Sequence, residues 1–445
     1  MNGHIDSEIA ISNCQLQRKD LIIIFVIFLY LILSFTALAT NTEKTRSPIF
    51  TVISLEKSHE IPEMYAFTDK PGFYNSIYVN NSGTCLRSTN KFSEDNGKSW
   101  ILYPVKPDFL AELPHGYRRT PVTAILDPNT GWIVSFINSL DTPGLDPKVH
   151  EPTNVYHMHY IRYRTSVDSG ESWLVDEPII KEGTFAVQNS SNNDFNSANP
   201  IYLGDKGSAP IITKSGKILI GAQLPMIGTD GKVISPGIFE VLVLIGTWIK
   251  NHRLSWKISE RIIGDKKWTT RGLCEPTLVQ LDNGSIMMVM RASNGHKQDP
   301  DYLIPSYKWY AISKDDGLSW SEPKPLKFDN GENFFSPASM STFFKHSTGR
   351  IFWVGNISEE NCRANSPRWP LVIGELDIND FSIIHSSLFI VDTYNNKDQT
   401  LNRKLDISHF TIIEDRVTNN IILTYPRCYN NYKSTEWCIV RLSVD

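Results

Sequence analysis

The sequence has little net charge: 44 lysines and arginines against 48 aspartates and glutamates leave −4 over 445 residues. A surface that holds nucleic-acid phosphates needs a clustered excess of cations, and a disordered chain needs a strong imbalance with few apolar residues; neither holds here. Long amphipathic helices are missing, and so is any Pro/Ser-rich linker beyond residue 60, which leaves no natural point of division there. Cysteine is scarce, at six residues: Cys14, Cys85, Cys274, Cys362, Cys428 and Cys438. Cys428 and Cys438 are spaced to clip a last hairpin in an oxidising compartment; Cys14 falls on the cytoplasmic side, so an odd five remain outside and at least one of these is unpaired or intermolecular. His157 and His159 alternate as on one strand face, but third and fourth zinc ligands are not found, so no metal or other cofactor is expected.

What is there begins with a charge-free run over residues 21–39. At ~1.5 Å per residue these 19 residues reach across a ~30 Å hydrocarbon layer. Arg18 and Lys19 precede the run, so the reading is a signal anchor of type II: a cytoplasmic tail at 1–20, a membrane helix at 21–40, a polar stalk at 41–60, and one domain at 61–445 outside or in the lumen. Ala37-Leu38-Ala39 also suits a signal-peptide cleavage site, which would release the domain. Sequons at Asn80, Asn189, Asn283 and Asn356 fit both topologies.

Beyond residue 60 the pattern is short β-branched runs broken by turn residues. TAILDPNTGWIVSFI, PIITKSGKILIGAQL, TLVQLDNGSIMMVMR and STFFKHSTGRIFWVG each read as strand, tight Gly turn, strand. Three octets repeat a pattern S-x-D-x-G-x-x-W: SEDNGKSW (93–100), SVDSGESW (166–173) and SKDDGLSW (313–320). Gly supplies the positive backbone angle of a tight turn, Asp and Ser bind turn amides, and Trp packs back onto the sheet. With a worn copy ending at Trp256, the Trp residues recur about once per four-stranded blade. Roughly 385 residues then hold six blades, giving an all-β, six-bladed β-propeller of antiparallel four-stranded blades, preceded by the membrane helix.

These octets resemble the Asp boxes (BNR repeats) of the sialidase superfamily, and the resemblance extends over most of the chain after the stalk. It implies that the boxes are structural turns and that chemistry resides elsewhere. Sialidases hold a sugar carboxylate with three arginines, because planar guanidinium forks match carboxylate geometry. YRRTPVTAILDPNTGWIVSF resembles the segment of the first, with Arg119 in its place. GLCEPTLVQLDNGSIMMVMRASNG resembles the segment that carries a catalytic Glu and the second arginine, here Glu275 and Arg291. SPRWPLVIGELD resembles the third, at Arg368, with Arg350 a weaker alternative. The general acid is sought in the loop after the first arginine, where Asp141, Asp146 and Glu151 stand.

One departure is clear. Where the resemblance calls for the nucleophilic Tyr-Ser, the stretch KLDISHF has Ile407-Ser408, preceded by Asp406; Tyr425 stands on the following strand as the candidate tyrosine. The expected function is a membrane-anchored exo-glycosidase that removes a terminal acidic sugar from glycoconjugates. Two alternatives stay open: a glycan-binding propeller that kept the arginines and lost turnover, and a related hydrolase or lyase for another acidic sugar.

Overall fold

A computed structural model describes residues 49–58, 64–66, 73–81, 85–93, 101–104, 113–149, 152, 155, 158–179, 200–204, 207–226, 234, 237–415, 417–431 and 433–445. These residues form an all-β propeller made of six antiparallel sheets. Sheet 1 comprises Met64–Ala66, Phe73–Asn81, Cys85–Ser93 and Ile101–Pro104; sheet 2 comprises Tyr117–Leu126, Ile133–Asp141, His159–Ser166 and Val175–Pro178. Sheet 3 runs from Ile211–Ile212 through Ile218–Pro225 and Phe239–Trp248 to Leu254–Ile258, with Ile262–Ile263 added against Phe239–Trp248. Sheet 4 comprises Cys274–Gln280, Ile286–Arg291, Lys308–Ser313 and Lys324–Pro325; sheet 5 comprises Thr342–Lys345, Ile351–Asn356, Leu371–Asp377 and Ser382–Ile383, with Phe389–Asp392 against Leu371–Asp377. All four anticipated hairpins are present, each joining the first two strands of its sheet.

Sheet 6 is built from both ends of the described chain. Leu405–Asp406 and Thr411–Glu414 pair with Ile421–Tyr429, which pairs with Ser434–Val444, and the edge is Phe50–Ser58. Part of the expected stalk is therefore a strand. FTVISLEKS reads as polar because it is an edge strand: Phe50 is buried against Phe352, while Val52, Ile53 and Leu55 face outward. The expected Cys428–Cys438 clip is not formed. The register puts Cys428 opposite Thr435 and Cys438 opposite Tyr425, and both are buried free thiols. Among the described residues no helix is long and apolar enough to cross a membrane; the 21–39 run lies outside them.

Consecutive sheets from sheet 2 to sheet 6 pack face to face. Four apolar clusters fill the joints between sheets 2 and 3, 3 and 4, 4 and 5, and 5 and 6. Strands buried on both faces lose the hydrophobic alternation of a half-exposed sheet; every residue of Ile218–Pro225 is buried, as is all of Ile286–Met290. Each buried Val, Leu, Ile or Met side chain of these strands contributes about 1.5–3 kcal/mol on leaving water.

Two of the octets share one hydrogen-bond pattern. Ser166 Oγ donates to Asp168 Oδ1 (2.8 Å) and accepts the Gly170 N–H (2.9 Å), and Asp168 accepts the Ser172 N–H (2.8 Å). Ser313, Asp315, Gly317 and Ser319 repeat these bonds at 2.8, 2.9 and 2.9 Å. Burial acts to raise the Asp168 pKa, but the bonds from Ser172 and Ser166 outweigh it and hold the carboxyl below its ordinary value. Both turns connect the third and fourth strands of their sheets. The octet at 93–100 lies between the corresponding strands of sheet 1, outside the described residues apart from Ser93.

Candidate functional site

The strand Cys274–Gln280 loses register between Cys274 and Thr277, and at this bulge Glu275 adopts φ +49°. A bulge leaves one residue outside the ladder and re-aims its side chain. A non-glycine residue at positive φ costs on the order of 1–3 kcal/mol and persists only where its surroundings hold it. Here the freed Glu275 N–H donates to Gln223 Oε1 at 2.7 Å. Pro276 seats against Gly221, where a Cβ would meet Pro276 Cγ at 2.7 Å.

Arg291 ends the adjoining strand opposite Cys274, and its Nη1 donates to Glu275 Oε1. The two side chains are 12% and 9% exposed. Burial pulls the Arg291 pKa down, but the Glu275 charge overrides it and holds the guanidinium above its ordinary value. Glu275 Oε2 and Arg291 Nε are both buried, and among the described residues neither has a hydrogen-bond partner. A buried ion pair is favourable only when its remaining lone pairs and protons are satisfied, so these two atoms are open to polar groups that a ligand would bring.

The neighbouring loop extends the cluster. Asn294 Nδ2 donates to Ile304 O (2.9 Å) and Cys362 O (2.8 Å), and its Oδ1 accepts the Ala364 N–H (2.9 Å), which orders the residues leading to Asn365. Asn365 Oδ1 lies 3.4 Å from Arg291 Nη2. Asn365 also lines a cavity of about 270 Å³ with Ser366, Arg368, Lys404, Asp406 and Asn431. Arg368 Nη1 stands 3.3 Å from both Asp406 Oδ2 and Ser408 Oγ, and Nη2 donates to Ala338 O at 2.9 Å. A parallel bridge between Arg368 and Asp406 fixes the backbones, with the Ile407 N–H on Arg368 O at 2.9 Å. Ser408 Oγ donates to Asp406 Oδ1 at 2.7 Å.

Lys308 is fully buried and stands opposite Arg291 in register. Its Nζ donates to Pro337 O (3.1 Å) and to Ser339 O. Burial pushes its pKa down to about 7; the Glu275 charge opposes that shift, and the Arg291 and Arg368 charges reinforce it. One carboxylate and three cations, drawn from sheet 4 and from the loop between the second and third strands of sheet 5, thus share one electrostatic neighbourhood.

Arg119 sits in sheet 2. Its Nη1 donates to Asp141 Oδ1 at 2.5 Å, its guanidinium lies 5.5 Å from the Tyr160 ring centre, and Tyr160 OH donates to Asp141 Oδ2 at 2.7 Å. Burial, the largest influence, holds the Tyr160 phenol above its ordinary pKa. A relay runs from this sheet to Glu275. Asn138 brackets Leu203 with two 2.8 Å bonds, Tyr202 pairs with Gln223 through the backbone, and Gln223 holds Glu275.

The structure therefore brings Glu275, Arg291 and Arg368 together and ties Arg119 to Asp141 two sheets further back. Asp146 is exposed, with Oδ1 accepting the Lys148 N–H at 2.9 Å in an Asx turn. Glu151 and His157 lie outside the described residues. Arg350 is held by both oxygens of Glu375 at 2.9 and 2.8 Å, a structural fork. Tyr425 is wholly buried in the cluster between sheets 5 and 6. Desolvation, followed by nearby Asp392, pushes its phenol pKa up, yet its hydroxyl makes no hydrogen bond of ordinary geometry. Among the described residues no tyrosine hydroxyl bonds the Glu275 carboxylate: Oε1 is taken by Arg291 and Oε2 has no partner. Among the described residues no group of three or more His, Cys, Asp or Glu is placed to hold a metal ion.

Sequence reasoning overlooked Lys308, Gln223 and Asn365. The first two carried a signal, a lone polar residue in the buried runs KWYAIS and ILIGAQLP. Asn365 carried none, because a loop decides where it goes.

Residues 146–393 match the model of the BNR repeat-like domain. A search of curated proteins returns no match. Among solved structures, a protein of unknown function from Dyadobacter fermentans superposes with a TM-score of 0.58 at 12% identity, covering 90% of this chain and 100% of that one. The NanB sialidase of Streptococcus pneumoniae gives 0.54 at 16% identity, covering 89% and 71%. Trypanosoma rangeli sialidase gives 0.52 at 12%, covering 86% of this chain and 55% of its own. The chain thus spans about half the length of the trypanosomal enzyme. At such identities the likeness is one of fold.

Proposed function

The chain belongs to the BNR repeat-like domain family, and on that footing we propose that it is a glycoside hydrolase that removes a terminal acidic sugar, sialic acid or a relative, from glycoconjugates. The six sheets act as six blades around one cup. Arg291 and Arg368 grip the sugar carboxylate, with Arg119 reaching the same ligand from sheet 2. Glu275 is the anion beside the anomeric centre, where it stabilises the positive charge of an oxocarbenium-like transition state. A carboxyl of the loop after Arg119, Asp146 or Glu151, protonates the leaving oxygen. The charge-free run at 21–39 tethers the propeller to a membrane.

The observation that carries this reading is the carboxylate oxygen Glu275 Oε2, buried beside the Arg291 guanidinium on a strained bulge and unpartnered among the described residues. Leaving a buried carboxylate oxygen open costs stability, and a polar group of a ligand would satisfy it. Fluorogenic glycosides of sialic, glucuronic and galacturonic acids, run beside neutral glycosides, test it. Release from an acidic substrate that vanishes in Arg368→Ala supports the proposal and identifies the sugar. Release from neutral glycosides alone overturns it.

A second reading, a glycan-binding propeller without turnover, draws on one specific observation: among the described residues the Glu275 carboxylate bonds to no tyrosine hydroxyl. Tight binding of acidic glycans on an array, with no product from any substrate, is its signature.

A further inference from the structure

Three successive carbonyls, those of Pro337, Ala338 and Ser339, are held by two cations. Lys308 Nζ takes the first and third, and Arg368 Nη2 takes the middle one at 2.9 Å. The Ala338 N–H is fixed in turn on Ala364 O (2.8 Å), in the loop that carries Asn365. The segment is thus a hub between the strand beside Arg291 and the guanidinium of Arg368. A lysine with no exposed surface is costly for packing; an uncharged side chain of equal length fills the same space without desolvating a charge. Its retention among two arginines and a glutamate needs a purpose that packing does not supply.

We propose that Lys308 is a positioning and specificity-determining residue of the site: it orients Arg368 through the 337–339 carbonyls and makes the cluster selective for anionic sugars. The inference rests on the acidic-sugar reading above. The charge count shows how. With Lys308 protonated, Lys308, Arg291 and Arg368 outnumber Glu275 and Asp406 by one; with it neutral, the five groups sum to zero. The groups facing the ammonium are Glu275 and Cys274 on one strand, Arg291 on the next, and Arg368 in the loop between the second and third strands of sheet 5. Burial brings the Lys308 titration to about 7, with only Glu275 and Cys274 resisting, so this switch in charge falls near neutral pH. Below that pH the site is cationic and binds an anion well. Above it the ammonium is lost, its bonds to Pro337 and Ser339 weaken, and affinity declines.

The test measures dissociation constants of N-acetylneuraminic acid, glucuronic acid and a neutral hexosamine from pH 5.5 to 8.5 for the wild type and Lys308→Met. Wild-type affinity for the acid that binds should fall about tenfold across neutrality, the scale of one unit charge at several ångströms, with the neutral sugar unaffected. Lys308→Met should bind the acid about tenfold more weakly at pH 5.5, with a flat profile. An unchanged affinity and slope in that variant overturns the inference, as does a neutral sugar that weakens equally. The wild-type slope and the NMR titration of the Lys308 Cε resonance decide the matter should the variant not fold: a midpoint near neutrality supports it, and titration near the ordinary lysine value overturns it. A wild type that binds no acidic sugar at any pH, yet shows the neutral midpoint, instead ends the functional reading.

Discussion

Replacing Glu275 with glutamine separates the roles of the ion pair in stability and in chemistry. Breaking a buried pair by removing one charge costs about 3–5 kcal/mol. Glutamine keeps an oxygen that can accept from Arg291 Nη1, and the substitution removes a carboxylate oxygen whose burial without a partner itself costs about 1–3 kcal/mol. The net loss of stability should be roughly 2 kcal/mol, which denaturant unfolding of wild type and variant measures at one pH. Turnover should suffer far more. Loss of the anion beside a developing oxocarbenium charge is expected to lower kcat by about 10²–10⁴-fold, with KM for an acidic glycoside within threefold, because Arg291 and Arg368 remain. A kcat within twofold of wild type refutes a catalytic role. A raised KM with kcat intact would instead make Glu275 a binding residue.

Arg291→Lys keeps the charge but not the fork; affinity for an acidic sugar should fall about 10–100-fold, as a charge-assisted bond is worth about 1.5–3 kcal/mol, and titration calorimetry reads it. Asp315→Ala removes the acceptor of an exposed turn and should lower stability by about 1 kcal/mol, while kcat per folded molecule stays constant. The Asp315 carboxyl titrates below its ordinary value because the bonds from Ser319 and Ser313 outweigh the effect of burial. That contribution is therefore present above the unfolded carboxylate pKa and disappears as pH falls through the folded one, so variant and wild type should converge in acid. Gly272→Ala should cost more than 3 kcal/mol or prevent folding: φ is +69°, and the new Cβ would lie 2.0 Å from Phe239 O, two residues before the site strand. A soluble variant of wild-type stability would contradict the backbone path into Glu275.

The propeller was legible because its signals are local. A Gly turn between β-branched runs, or an octet whose Ser and Asp bond its own amides, is decided within a dozen residues. Glu275 and Arg291 were legible for a similar reason, being joined by one hairpin, and Arg368 because its approach to a strand is distinctive. What stayed hidden depends on the closing of sheets distant in sequence. Phe50–Ser58 joins the last sheet across the whole chain. Tyr425 lies on Ile421–Tyr429, a strand buried along its whole length, so alternation carried no signal that could exclude it from the site. Lys308 enters the cluster only when the 337–339 segment of the next sheet folds over it.

The most direct measurement is a crystal structure of the protein with an acidic monosaccharide. The expected result has the sugar carboxylate within about 3 Å of guanidinium nitrogens of Arg291 and Arg368, with a polar atom of the ligand facing Glu275 Oε2. A sugar seated elsewhere on the propeller, with Arg291 still closed on Glu275 and Oε2 still without a partner, would contradict it.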